Sequence, residues 1–163
     1  MRYLLIPILL IALVACQTKQ SEERNLENST ANQEAITFDS LKAAKYGADQ
    51  YGMKAYVIAF LKRGPNQPTD SIHATELQRA HLDNIGKLAE EGKLVLAGPF
   101  FGNDSLRGIY VFNVSTIDEA KQLTETDPAI KYGSLKMELK QWYGSAALME
   151  VNQIHESIAK INI

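Results

Sequence analysis

The stretch LQRAHLDNIGKLAEEGKL, residues 77–94, sets a histidine among leucines. At about 100° per residue, Leu77, Leu82, Ile85, Leu88 and Ala89 fall within an arc of roughly 140°. Arg79, Asp83, Lys87 and Glu90 take the opposite side. His81 lies about 40° round from Leu77, inside the apolar arc. Asp127 follows a second amphipathic stretch, on the side that carries Ala120 and Leu123. If both stretches are helices over one sheet face, the two side chains share a space. They are then predicted to lie within hydrogen-bonding reach, directly or through one water, at the edge of a pocket between helices and sheet. A carboxylate beside an imidazole favours the charged ring and fixes its tautomer. Such a pair in a cleft can act as a general base near neutral pH. It can equally be a satisfied polar tie between two helices. On the residues alone both readings stand.

Other polar residues add less. Tyr56, at the start of a strand, and Arg79, near His81, are candidates for lining a pocket and binding an acidic group. Arg79 also has Asp83 at i+4, a pairing suited to a solvated helix face. Ser105 and Arg107 flank a turn and read as turn residues, while Trp142 and Tyr143 read as core or interface residues. His73, His81 and His155 are scattered, and no His/Asp/Glu set has zinc spacing, so neither metal nor cofactor is expected. No nucleophile elbow or third triad member is evident.

The elements that must position His81 and Asp127 form two similar halves. KAYVIAFLK (54–62) is a strand candidate, RGPNQPTDS a loop, and the His81 helix runs from about Thr75 to Glu91, stopped by Gly92. KLVLAGPFF and RGIYVFNVS are strands joined by the GNDS turn. A second helix starts at a Ser115 or Thr116 cap and runs toward Asp127-Pro128, where the residue before proline resists helical backbone. SLKMELKQWYG is the fourth strand. The order predicts an α+β fold, a ferredoxin-like βαββαβ sheet with both helices on one face. Strand four alternates, with Met137 and Leu139 opposed to Glu138 and Lys140. Strands one and three, central in this topology, are apolar at every position from Ala55 to Leu61 and from Ile109 to Phe112. Their second apolar face needs cover, and a homodimer packed sheet to sheet would supply it. The alternative cover is the C-terminal segment, which has Leu148, Val151, Ile154 and Ile158 at helical spacing.

Outside this domain the chain changes character. MRYLLIPILLIALVAC has one cation and an apolar run of signal-peptide length. Leu13-Val14-Ala15-Cys16 resembles a bacterial lipobox, in which the cysteine is lipidated and becomes the first mature residue. If the host has two membranes, Gln17 in place of Asp favours the outer one, with the protein facing the periplasm. The expected organisation is a signal peptide with lipobox (1–16), a flexible tether with a short helix from about Ser40 to Tyr46 (17–52), one domain (53–143) and a C-terminal helix (144–163). Formal net charge −2 gives no basic stripe for nucleic acid.

The stretch from Ala80 to Ile130 resembles the YCII-related family. The shared features are His81-Leu82 early in helix one, Gly92 and Leu94 leading to Gly98-Pro99, and Glu119-Ala120 followed by Asp127-Pro128. Gly92-Lys93-Leu94 in place of a direct Gly-Leu is a small departure. The resemblance spans roughly residues 54–143. It implies a small dimeric α+β barrel and marks His81 and Asp127 as a catalytic or ligand-binding pair. Relatives in the wider superfamily include muconolactone isomerases and chloro-hydroquinone dehydrochlorinases, so the implied chemistry is proton transfer on a small molecule. A binding or structural module in the envelope is the alternative. For the anchor, Cys16→Ser is expected to release the protein from the membrane fraction; unchanged fractionation would count against lipidation.

Overall fold

The computed structural model describes residues 37–161. The leader, Cys16 and tether residues 17–36 lie outside them. Helix α1 (Ser40–Tyr46) is followed by β1 (Met53–Arg63), α2 (Ser71–Glu90), β2 (Leu94–Pro99) and β3 (Leu106–Phe112). Then come α3 (Ile117–Thr124), α4 (Pro128–Tyr132), β4 (Leu135–Ser145), a 3-10 turn (Ala146–Glu150) and α5 (Val151–Ile158). The sheet order is β2-β3-β1-β4 with every neighbouring pair antiparallel. The fold is therefore α+β and ferredoxin-like, with β1 and β3 central as the sequence predicts. Among the described residues no helix is long and apolar enough to cross a membrane.

The helix boundaries follow from capping. α2 starts at Ser71, a turn earlier than the apolar pattern suggests, because the Asp70 carboxylate accepts from the backbone N–H groups of Ile72 and His73. α3 opens with a capping box between Thr116 and Glu119, but it ends at Thr124. Asp127 is thus not on α3. It is the N-cap of α4, with Pro128 at the first helical position, where a missing N–H costs nothing.

The two sheet faces are covered differently. Val57, Ala59 and Leu61 of β1, with Tyr110 and Phe112 of β3, pack against Leu88 of α2 and Ala120 of α3. On the opposite face Tyr56, Val95 and Val111 form a second cluster, met by Leu148 and Met149 of the 3-10 turn. The C-terminal segment is not a single helix from Gly144. Strand pairing of Met53 with Ser145 carries β4 on to Ser145, and α5 begins only after the 3-10 turn. Residues 40–52, grouped by composition with the tether, are fixed to the same end. The Tyr46 hydroxyl donates to Glu150 at 2.7 Å, and Lys42 pairs with the same carboxylate at 2.8 Å. Asp49 accepts from the N–H groups of Tyr51 and Met53 and from the Tyr143 hydroxyl.

Two glycines separate backbone from packing effects. A Cβ on Gly64 would lie 2.1 Å from the Gly133 carbonyl oxygen, whereas one on exposed Gly86, within α2, would meet nothing within 4 Å. Gly86→Ala should stabilise by about 0.4–1 kcal/mol through reduced unfolded-state entropy. Gly64→Ala should destabilise by about 1–3 kcal/mol or more by forcing backbone apart. Urea unfolding of both variants checks the opposite signs.

Candidate active site

α2 presents His81, Asn84 and Leu88 as its buried residues, a stripe at i, i+3 and i+7. His81 is 8% exposed and Asp127 is fully enclosed. The two meet directly, with His81 Nδ1 2.8 Å from Asp127 Oδ2. The other carboxylate oxygen, Oδ1, accepts the Ala129 N–H at 2.8 Å, which is the cap of α4. On the far side of the ring, His81 Nε2 lies 3.2 Å from the Tyr110 hydroxyl of central strand β3. The His81 and Tyr110 rings are inclined by only 20°, and Phe112 sets its edge against Tyr110.

Proton positions follow from the partners. Burial, and after it the negative charge of Asp127, pushes the Tyr110 hydroxyl well above its ordinary range, so it keeps its proton and donates. Nε2 is then the acceptor, and Nδ1–H donates to Asp127. The result is one buried chain, Tyr110 O–H to His81 to the Asp127 carboxylate, drawing on β3, α2 and the corner between α3 and α4. It holds the imidazole in one orientation, Nδ1 toward Asp127 and Nε2 toward Tyr110.

A second contact supports the same corner. Thr126 Oγ1 lies 2.7 Å from the Leu123 carbonyl oxygen and 3.0 Å from Asn84 Oδ1, yet its single proton serves only one of them. The buried Asn84 Nδ2 has no partner as placed. Turning the amide over lets Nδ2 donate to Thr126, which donates on to Leu123. The remaining orphan is then a carbonyl, which is tolerated better than a donor.

The structure does not bring the other two candidate ligand-binding residues to this chain. Tyr56 lies on the opposite sheet face, fully buried, with its hydroxyl donating to the Ser145 carbonyl at 3.0 Å. Arg79 points outward and pairs with Asp83 at 2.9 Å. It borders a shallow depression on the outer side of α2, together with Ala74, Thr75, Gln78 and Leu82. That depression includes none of His81, Asp127 and Tyr110, so it is not the pocket predicted beside the pair. Tyr110 and Asn84 are the residues that sequence reasoning missed. Asn84 had a signal, since it stands three residues after His81 on one helix face. Tyr110 had none, being one of four consecutive apolar-type residues in a strand covered on both sides.

Comparison with known proteins shows the family. Residues 55–143 match the family described as YCII-related domain, a stretch that contains His81, Tyr110 and Asp127. The chain is 31% identical over 62 residues to the uncharacterized protein YjpA of Bacillus subtilis (strain 168), covering 38% of this chain and 71% of that protein. A solved structure of 5-chloro-2-hydroxyhydroquinone dehydrochlorinase (TftG) from Burkholderia phenoliruptrix AC1100, in complex with 2,5-dihydroxybenzoquinone, superposes with a TM-score of 0.41 at 20% identity. That match covers 55% of this chain and 93% of the other. By its sequence from Ala55 to Tyr143, this chain belongs to the YCII-related domain family.

Proposed function

We propose that the domain is a cofactor-free proton-transfer centre for a small cyclic or carbonyl-containing molecule, of the isomerase, lyase or dehydrohalogenase type. The observation that carries this reading is the two-sided hold on His81: a carboxylate on Nδ1 and an ionisable hydroxyl on Nε2. In such a step Nε2 takes a proton from the carbon next to a carbonyl, and the electron pair moves onto the carbonyl oxygen. Collapse of that enolate then returns the proton at another carbon, or expels a leaving group. Asp127 stabilises the imidazolium, and because Ala129 N–H already fixes its carboxylate, little reorganisation accompanies the charge. Since the ring is 8% exposed, entry requires α2 and β3 to part locally.

That same enclosure favours a second reading, in which the three residues only tie α2, β3 and the α3–α4 corner together. Removing His81 would then leave Asp127 enclosed without its donor, at about 1–3 kcal/mol or more. Deuterium uptake from D2O into a panel of cyclic ketones and lactones, followed by mass spectrometry, separates the two. For a proton-transfer centre, wild type catalyses uptake and His81→Ala abolishes it while remaining folded. Melts of His81→Ala, Asp127→Asn and the double variant complete the comparison. A coupling above about 1 kcal/mol with no catalysed uptake by wild type favours the structural tie.

The envelope location belongs to this reading: Cys16 carries the lipid, and the domain is held at a membrane, the outer one where there are two, facing the periplasm. The sequence Leu13-Val14-Ala15-Cys16-Gln17 supports it. A homodimer belongs to it as well. Leu148 and Met149 cover only one end of the second sheet face, and Ile58, Phe60 and Ile109 stay half-buried there. A second sheet packed on this surface would complete their burial. Ile58→Glu should therefore turn a dimer into monomer or insoluble protein. Sedimentation of the Cys16→Ser chain at micromolar concentration checks it, and a monomeric mass before the Ile58 substitution would refute the dimer.

A further inference from the structure

Exposed apolar side chains gather at the end of the sheet where Met53 pairs with Ser145. Leu41 of α1, Tyr51 of the turn before β1 and Tyr143 of β4 are each more than half exposed. So are Ile154 and Ile158 of α5 and Ile161 just beyond it. α1, the 3-10 turn and α5 adjoin one another there, while Tyr143, paired with Ala55, lies toward the helix-covered face. α1 and α5 both pack on the 3-10 turn, Tyr143 is bonded to Asp49, and Asn152 of α5 donates to the Leu94 carbonyl at 2.8 Å. Although α5 is amphipathic, none of its residues is buried. Ile154 and Ile158, one turn apart, face outward.

We propose that this end of the domain docks on the surface of a lipid bilayer, with α5 lying in the interfacial plane; the proposal rests on the reading of Cys16 as the anchor. The chain's own path leads to this end. The link from Cys16 enters the domain at α1, so the 23 residues 17–39 join the anchor to this end directly. A chain held by covalent lipid meets the bilayer at high effective concentration, so a short apolar face suffices where it would fail in free solution. Isoleucine and tyrosine suit that boundary, the aromatic rings sitting at headgroup level. Charges nearby come in both signs, Lys42 being paired with Glu150 and Lys160 lying near Glu156 in sequence. Docking should therefore not need anionic lipid. The two exposed phenylalanines of the β2–β3 turn, Phe100 and Phe101, stand at the opposite end of the sheet, away from where the link enters.

Trp142, the chain's single tryptophan, lies at the docking end and is 40% exposed, which makes it a native reporter. The mature lipidated protein would be reconstituted into phosphatidylcholine vesicles with and without brominated acyl chains. Bromolipid is expected to quench Trp142 emission at least twofold. In Ile154→Ser/Ile158→Ser that quenching should be lost while the protein still sediments with vesicles. Two outcomes overturn the proposal and leave the anchor reading standing: a vesicle-bound wild type whose Trp142 is unquenched, or quenching unchanged by the two substitutions. If the unquenched chain is instead a dimer that the isoleucine substitutions dissociate, the occupant is a second copy and the lipid proposal falls. A chain whose Cys16 carries no lipid by mass spectrometry, and which stays in the supernatant, removes the anchor reading and this proposal together.

Discussion

A carboxylate with no exposed surface is the constraint from which the rest of the arrangement follows. Asp127 is fully enclosed, and an enclosed carboxylate is tolerated only when its oxygens are supplied with donors. One donor is local: ending α3 at Thr124 and restarting as α4 aims the Ala129 N–H at Oδ1. The other must come from a different element, and His81 provides it from α2. This fixes the rotation of a 20-residue helix about its axis, because turning α2 by one residue would carry the imidazole away from the corner. The Asp70 cap and the burial of Leu88 are consistent with that same rotation.

The parts of this that were legible in sequence are those with a period. A 3.6-residue repeat placed His81 on the covered side of α2, and alternation in β4 separated Met137 and Leu139 from Glu138 and Lys140. The family resemblance marked His81 and Asp127 together. Where the period vanished, so did the reading. β1 is apolar on both faces, so nothing in the sequence told whether Tyr56 or Val57 faces the helices, and one residue of phase exchanges the faces. Tyr56, a candidate for lining a pocket, lies across the sheet from His81. The same loss of alternation in β3 hid Tyr110, whose hydroxyl completes the chain. The break between α3 and α4 was foreshadowed by Asp127-Pro128. Before the structure the proline signals only a stop, although a first-turn proline also starts a helix.

Among the described residues, two pieces outside the matched family domain meet each other. α1 before it and the 3-10 turn after it join through Tyr46, Lys42 and Glu150. The carboxyl of Glu150 is held below its usual range by Lys42 and Tyr46, so this clasp is complete above the ordinary carboxylate range and loosens as pH falls through the lowered value. By laying Leu148 and Met149 over Tyr56, Val95 and Val111, the extension shortens the open part of the second sheet face. Any partner on that face must therefore pack toward the end that carries Phe60 and Ile109.

Hydrogen-bond accounting gives the buried chain a direction. Asp127 only accepts, so Nδ1 must carry a proton, and Nε2 then presents a lone pair to Tyr110. Tyr110 is held protonated by its burial, so it answers with a donor and every group is satisfied. A second proton on the imidazole breaks this pattern. Nε2–H would then face the tyrosine oxygen, and the tyrosine proton would need a new acceptor in a place with 2% exposure. With each group paired once, the chain ties β3, α2 and the corner between α3 and α4 in one sequence of hydrogen bonds. In this fold the enclosure of the chain and the order of its donors are linked: Asp127 is shut off from solvent, so its oxygens draw their donors from His81 and the Ala129 N–H within the protein.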